Sequence, residues 1–169
     1  MSSEGSRRRT APVTSEEFRR ACGRFATGVT IASALDAQGT PHGLTVSSFT
    51  SVSLAPPLVL ICLGHEVSVI DIFRSSACFG INVLSEQQRD LSERFARKGH
   101  DRFNGLAWHR GEATGVPLLP GVLAAIECSV RGRIPAGDHD IFLAEVVGAR
   151  VADGEPLIHF ASRYRRLEH

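Results

Sequence analysis

Phe18, Ala21, Cys22, Phe25 and Ala26 recur at helical spacing behind Thr14 and Glu17, which form a capping box. This predicts an amphipathic helix over Thr14–Ala26 with its apolar face packed on a neighbour. After Gly28 the pattern changes to β-branched residues. Val29–Ala34, a turn at Asp36–Gly39 and His42–Val46 read as a hairpin, and Thr50–Leu54 and Leu58–Leu63 as two further strands. Pro56 and Pro57 break the ladder between those two, because proline lacks the N–H a strand needs. Val67–Arg74 reads as one short helix and Ala77–Leu84 as a buried strand. Ser85 with Gln88 forms a second capping box, opening a helix that carries Leu91 and Phe95 and stops at Gly99. Two long alternating stretches, Val122–Ile134 and Ile141–Val151, flank Pro135–Asp140, and a short strand covers Leu157–Phe160. Many strands and few short helices, in no regular βαβ order, predict a mainly β fold: an antiparallel barrel with flanking helices.

With 169 residues, 43% of them hydrophobic and 22% charged, the chain suffices for one buried core and is short for two domains. The expected division is an arm over residues 1–13, holding Arg7, Arg8 and Arg9, and a single domain over 14–169. No apolar run follows those arginines, so a secretory signal is not expected. A formal charge of +1 provides no global field toward nucleic acid or an anionic membrane, which favours small ligands. The longest apolar stretch, Leu54–Leu63, contains two prolines and falls short of the ~20 residues of a membrane-spanning helix. Cys22, Cys62, Cys78 and Cys128 form no CxxC pair and sit among apolar neighbours, as reduced, buried thiols of a cytoplasmic protein do.

The usual signatures of nucleotide chemistry are missing: there is no GxGxxG and no GxxxxGK[ST]. His65-Glu66 begins like a zinc-protease helix, but Val69 stands where the second His would be, and no metal is expected. No GxSxG elbow is present. The segment Gly43–Ser53 is distinctive because hydroxyls and a lone glycine alternate with apolar residues, sending Leu44, Val46 and Phe49 to the core. Short side chains on the other face let main-chain N–H and C=O groups approach the polar rim of a flat aromatic cofactor such as a flavin. By composition alone the same segment reads more readily as a Ser/Thr-rich edge strand of any β domain.

Phe25–Ile31 (FATGVTI), Gly43–Pro57, Phe79–Leu84 (FGINVL), Phe95–Gly99 (FARKG) followed by Arg102-Phe103, and Gly137-Asp138-His139 together resemble the short-chain flavin reductase family. The resemblance runs in order from about Phe18 to Tyr164. It implies an FMN-binding split β-barrel of antiparallel Greek-key type, usually a homodimer. It further implies an NAD(P)H-dependent oxidoreductase that reduces FMN or FAD and supplies reduced flavin to a partner monooxygenase. By position, Thr45, Val46, Ser47 and Ser48 would border the isoalloxazine, while Cys62, Leu63 and the loop to Ser68 would pass the ribityl and phosphate. Asn82 and Val83 would lie on the neighbouring strand, and Ala96 and Arg102 near the flavin phosphate. His139 and Tyr164 match positions associated with the nicotinamide nucleotide. No residue is expected to act as acid or base, because hydride passes directly between stacked rings.

Glu66 departs from the family pattern, since a carboxylate beside a phosphate is unfavourable; either it turns outward or this loop is not the main phosphate contact. Simpler roles stand beside these. His139 would serve as a turn residue, Arg97, Lys98 and Arg102 as complements to a helix dipole, and Trp108 as a core residue. The rival functions are a tightly bound FMN oxidase of the pyridoxamine phosphate oxidase type and a non-catalytic flavin or haem binder.

Overall fold

A computed structural model describes residues 12–98 and 101–167. The expected arm, apart from Pro12 and Val13, and the predicted helix stop at Gly99 lie outside the described residues. In chain order the elements are α1 (Ser15–Cys22), β1 (Thr27–Gly28), β2 (Thr30–Leu35), β3 (Pro41–Val46), β4 (Thr50–Leu54), β5 (Pro57–Gly64), α2 (Ile70–Ser75), β6 (Cys78–Val83) and α3 (Arg89–Ala96). They continue with β7 (His109–Arg110), β8 (Pro117–Leu118), β9 (Ala124–Ala136), β10 (His139–Val151), β11 (Ile158–Phe160) and β12 (Arg163–Arg165).

Seven strands form one antiparallel sheet in the order β3-β2-β6-β9-β10-β5-β4. Its two end strands, β3 and β4, are consecutive in the chain and joined only through Ser47, Ser48 and Phe49. Laid flat, six inter-strand steps of about 4.8 Å would separate them by about 29 Å. Four residues of extended chain reach about 14 Å. The sheet therefore curls until its ends meet. The β3 and β4 edges do not pair with each other, so the curled sheet stays open along a seam. At that seam Ser48 takes the place of a ladder partner: its Oγ donates to the Cys62 carbonyl and accepts from the Cys62 N–H, both at 2.9 Å.

Alternation along the strands divides the interior in two. Ala32, Ala34, Leu44, Val46, Phe79 and Ile81 face inward, where Phe73 of α2 plugs the curl with its ring 6.3 Å from those of Phe79 and Phe142. On the outer face Ile31, Leu84, Leu118 and Leu119 are covered by Phe95 of α3 and by Phe103, whose rings meet edge to face at 5.0 Å. Asn82, wholly buried, fastens this outer layer. Its Nδ2 donates to the Ile31 carbonyl and Ser33 Oγ, and its Oδ1 accepts the Leu119 N–H at 2.8 Å.

The expected elements are present with shifted ends. The Ser85–Gln88 capping box opens a short 3₁₀ turn, Glu86–Gln88, before α3, and α3 ends at Ala96. His139, expected in a loop, begins β10 across a two-residue turn with Gly137 at φ +65, a conformation suited to glycine. The first helix keeps its capping box, with Thr14 Oγ1 accepting the Glu17 N–H and Glu17 accepting the Thr14 N–H, but it ends at Cys22. Its apolar face is not packed, contrary to expectation: no residue of α1 is buried, Phe18 is 62% exposed and the following Phe25 is 78% exposed. No described element lies opposite them. All four cysteines are free, yet Cys22 is exposed and only Cys128 is fully buried.

Glu127, on β9, is buried and holds the loop between β7 and β8. Its carboxylate accepts the N–H groups of Ala113 and Thr114 and the Thr114 hydroxyl. Burial pushes this carboxyl up, and the hydrogen bonds from Thr114 and Ala113 outweigh it, so the net direction is downward. A lowered folded value adds stability above the ordinary carboxylate range and loses it as pH falls through the folded value. Glu127→Gln is expected to cost about 1–3 kcal/mol at neutral pH. In urea titrations repeated from about pH 7 to pH 3, the gap between variant and wild type should close toward the acid end. A gap constant with pH would show that the charge contributes nothing.

Candidate functional site

The strand β3 passes between the two cores, and its residues divide accordingly. Leu44 and Val46 are buried, Thr45 is half-buried, and Ser47 just beyond the strand is exposed at the seam. Thr45 Oγ1 donates to the Ser92 carbonyl at 2.6 Å, tying β3 to α3. A Cβ at Gly43 would lie 2.8 Å from the Ala32 carbonyl and 3.0 Å from the Phe95 ring, so the missing side chain serves packing. The carbonyl of Gly43 is engaged as well, accepting from Arg102 Nη1.

Arg102 is 8% exposed. Its Nε and Nη2 donate to the Arg97 carbonyl at 3.0 and 2.7 Å, so three of the five guanidinium N–H groups meet carbonyls. Among the described residues no carboxylate pairs with it, and burial pulls its ordinary value down, as it does for a cation without a counter-charge. Arg102 lines an open cleft of about 430 Å³ that also takes in His42, Gly43, Ser68, Val69 and Asp101. His42 is steered by Asp36, whose Oδ2 lies 2.9 Å from its Nε2. Ser68 and Arg102, expected near ribityl and phosphate, thus share one cleft. Glu66 is exposed and does not line it.

The other expected flavin residues lie around the seam and the adjoining strands. Ser48 is bonded to Cys62, and burial pushes the Cys62 thiol up. Val46, Leu63 and Asn82 have buried side chains, with Leu63 1% and Asn82 0% exposed, and can offer a ligand main-chain groups only. The Asn82 amide is committed to Ile31, Ser33 and Leu119. Val83 is half-buried, and Ala96 is exposed at the end of α3.

His139 stands over Gly64, its register partner on β5, where an added Cβ would lie 3.5 Å from its Nε2. Its Nδ1 is 2.7 Å from Asp138 Oδ1. Tyr164 is not beside it within one chain. The Tyr164 hydroxyl is 2.8 Å from Ser92 Oγ, Arg89 lies over its ring, and the cleft it lines contains Arg89, Asp90, Leu157, Arg165 and Arg166. Trp108 packs edge to face on Phe103 and so belongs to the outer layer. The pairing of His65 and Arg74 with the buried Asp140 was not foreseen from sequence. The sequence carries no local signal for it, because the two partners lie 75 and 66 positions from Asp140.

Residues 22–168 match the model of the flavin reductase like domain, and the chain belongs to that family. It is 43% identical over 153 residues to an FMN reductase (NADH) of Agrobacterium fabrum, spanning 90% of this chain and 86% of that one. It is 39% identical over 153 residues to the reductase component of a 4-nitrophenol 4-monooxygenase/4-nitrocatechol 2-monooxygenase of Rhodococcus opacus, covering 90% and 81% of the two chains. The fold superposes with a TM-score of 0.85 on a Streptomyces globisporus NADH:FAD oxidoreductase solved with NAD and FAD fragments. That pair is 37% identical, over 90% of this chain and 92% of the other.

Arg102→Lys keeps the charge and loses the fork that grips two carbonyls. It is expected to lower stability by about 1–3 kcal/mol, read by denaturant unfolding without added ligand. A variant as stable as wild type would show that the carbonyl contacts do not hold the cleft wall.

Proposed function

We propose that this protein is an NAD(P)H-dependent flavin reductase that reduces FMN or FAD and passes the reduced flavin to a partner monooxygenase. Arg102 carries the reading: a buried cation without a carboxylate partner, with N–H donors to spare, on the wall of an open cleft, suits an anionic phosphate. The exposed Ser47 and the main chain of the seam suit the polar rim of the ring system. The names of the reductases it resembles support the same chemistry, and the monooxygenase component among its relatives supports the partner.

When bound, the flavin supplies an acceptor for hydride from the nicotinamide. The chain's own task is placement. Arg102 and Ser68 would hold the phosphate side, Thr45, Val46, Ser47 and Ser48 would border the ring, and Cys62 and Leu63 would run past the ribityl chain. His139 orients the nicotinamide nucleotide. Tyr164 completes that site from the second subunit of a homodimer. No side chain has to move a proton for the hydride step. Four free thiols support a reducing, cytoplasmic setting. Among the described residues no helix is long and apolar enough to cross a membrane.

The direct test adds NADH and FMN to the purified protein and follows loss of the reduced-nicotinamide absorbance. Turnover of free FMN is expected, whereas tightly bound flavin that ignores NADH would favour an oxidase. Ser47→Phe should keep the wild-type fold by circular dichroism and lose flavin binding, because a position beside the ring has no room for added volume. Wild-type rates in that variant would place Ser47 away from the flavin.

The homodimer has its own support in Phe18, Phe25, Val147 and Val151, which are 62%, 78%, 44% and 85% exposed. Light scattering at micromolar concentration is expected to give twice the chain mass. A monomer would overturn the two-subunit site.

A further inference from the structure

Asp140 is the second residue of β10, and its carboxylate is 9% exposed. Oδ2 accepts from Arg74 Nε at 2.7 Å, and Oδ1 lies 3.1 Å from His65 Nε2. These partners come from the two ends of one segment. His65 begins the loop that leaves β5, and Arg74 stands in α2, into which that loop runs. Between them lie Ser68 and Val69, both on the wall of the Arg102 cleft. The His65 N–H donates to the Asp138 carbonyl at 2.9 Å, so the loop is also tied to the turn before His139.

Asp140 is not needed to dock β10. Continuous antiparallel pairing with β5, from His139↔Gly64 to Glu145↔Leu58, already does so. The loop is in a different position, because its main chain has little ladder of its own beyond Val67 N–H to Gly64 at 3.3 Å and Ile70 N–H to Val67 at 3.1 Å. What the carboxylate adds is the loop's orientation. Neighbouring residues on a strand point to opposite faces, so Asp140 grips the loop from one side of β10 while His139 is displayed on the other.

We propose that Asp140 is a positioning residue for flavin binding: by gripping His65 and Arg74 it holds Ser68 in the cleft wall shared with Arg102 and locks that wall to the strand that displays His139. The proposal rests on the flavin reading above. The Arg74 hydrogen bond, joined by that of His65, holds the Asp140 carboxyl below its ordinary value against the effect of burial, so the grip is charged at neutral pH.

The test compares wild type, Asp140→Asn, His65→Gln and the double variant by FMN fluorescence quenching, steady-state kinetics and thermal unfolding. Asp140→Asn is expected to weaken FMN binding about tenfold and to raise the KM for FMN in step, with kcat at saturating FMN and NADH within twofold of wild type. His65→Gln should give a smaller loss in the same direction. The double variant should be no weaker than Asp140→Asn, since both substitutions remove one shared contact. Asp71→Asn, which removes the exposed second carboxylate of Arg74, should leave FMN binding unchanged. An Asp140→Asn protein with a lowered melting temperature and FMN affinity within twofold of wild type would make Asp140 merely structural and overturn the proposal. Should Asp140→Asn fail to fold, His65→Gln decides on the same readouts: weaker FMN binding supports the proposal and unchanged binding overturns it. A wild-type protein that neither binds FMN nor oxidises NADH with it would overturn the flavin reading itself, before any variant is compared.

Discussion

Three residues, Ser47 to Phe49, connect strands that stand at opposite ends of a seven-strand sheet, and the architecture follows from that short connection. A sheet bent far enough to satisfy it has a narrow interior, which α2 plugs with Phe73, and a convex outer face, which α3 and the segment through Leu119 must cover. The ladder ends where the connection crosses, leaving main-chain groups at the seam without strand partners. Ser48 meets the Cys62 N–H and carbonyl with a single hydroxyl, which can donate and accept at once. An alanine there would leave both groups to water. At Ser48, therefore, a short hydroxyl side chain serves the fold, whatever binds beside it.

Three buried charges are satisfied in three different ways, and the differences separate structural from functional roles. Glu127 is surrounded by neutral N–H and O–H donors from one loop, an arrangement complete without any ligand. Asp140 meets basic side chains from two directions and converts charge into the orientation of a loop. Arg102 meets carbonyl dipoles alone, which lower the cost of burying a cation but do not cancel its charge. The positive potential left at the cleft wall suits an anion.

Much of the fold was legible because it rests on local rules. Capping boxes at Thr14 and Ser85, the turn residues Asp36–Gly39 and the alternation through Val122–Val151 each predicted an element that is present. The two-residue strands β1, β7 and β8 were not legible, since two residues carry no pattern of their own: β1 is defined by its pairing with the distant β11, and β7 and β8 only by pairing with each other. Gly43 is hard to read for a related reason: a glycine in a strand can mark an approaching ligand or an approaching ring, and the ring of Phe95 is visible only in the fold. Nothing local in the sequence shows the structural role of Asn82, whose amide joins Ile31 and Ser33 to the 117–119 segment laid over β6. The unpacked face of α1 shows the converse limit, for an amphipathic pattern marks an apolar face without saying what, if anything, it packs on.

The candidate site was the least legible part, and the chemistry explains why. Hydride transfer between stacked rings demands alignment of the reacting atoms to within a few tenths of an ångström and asks little of acids or bases. A protein that meets this demand does so with main-chain groups, small side chains and the stiffness of what lies behind them. Such devices leave few chemical signatures in a sequence: Ser48 and Asp140 resemble any serine and aspartate until their partners 14 and 75 positions away are known. The residues that matter most for such a reaction are then the ones that fix distances, and a carboxylate that orients a loop can outweigh a side chain that touches the ligand.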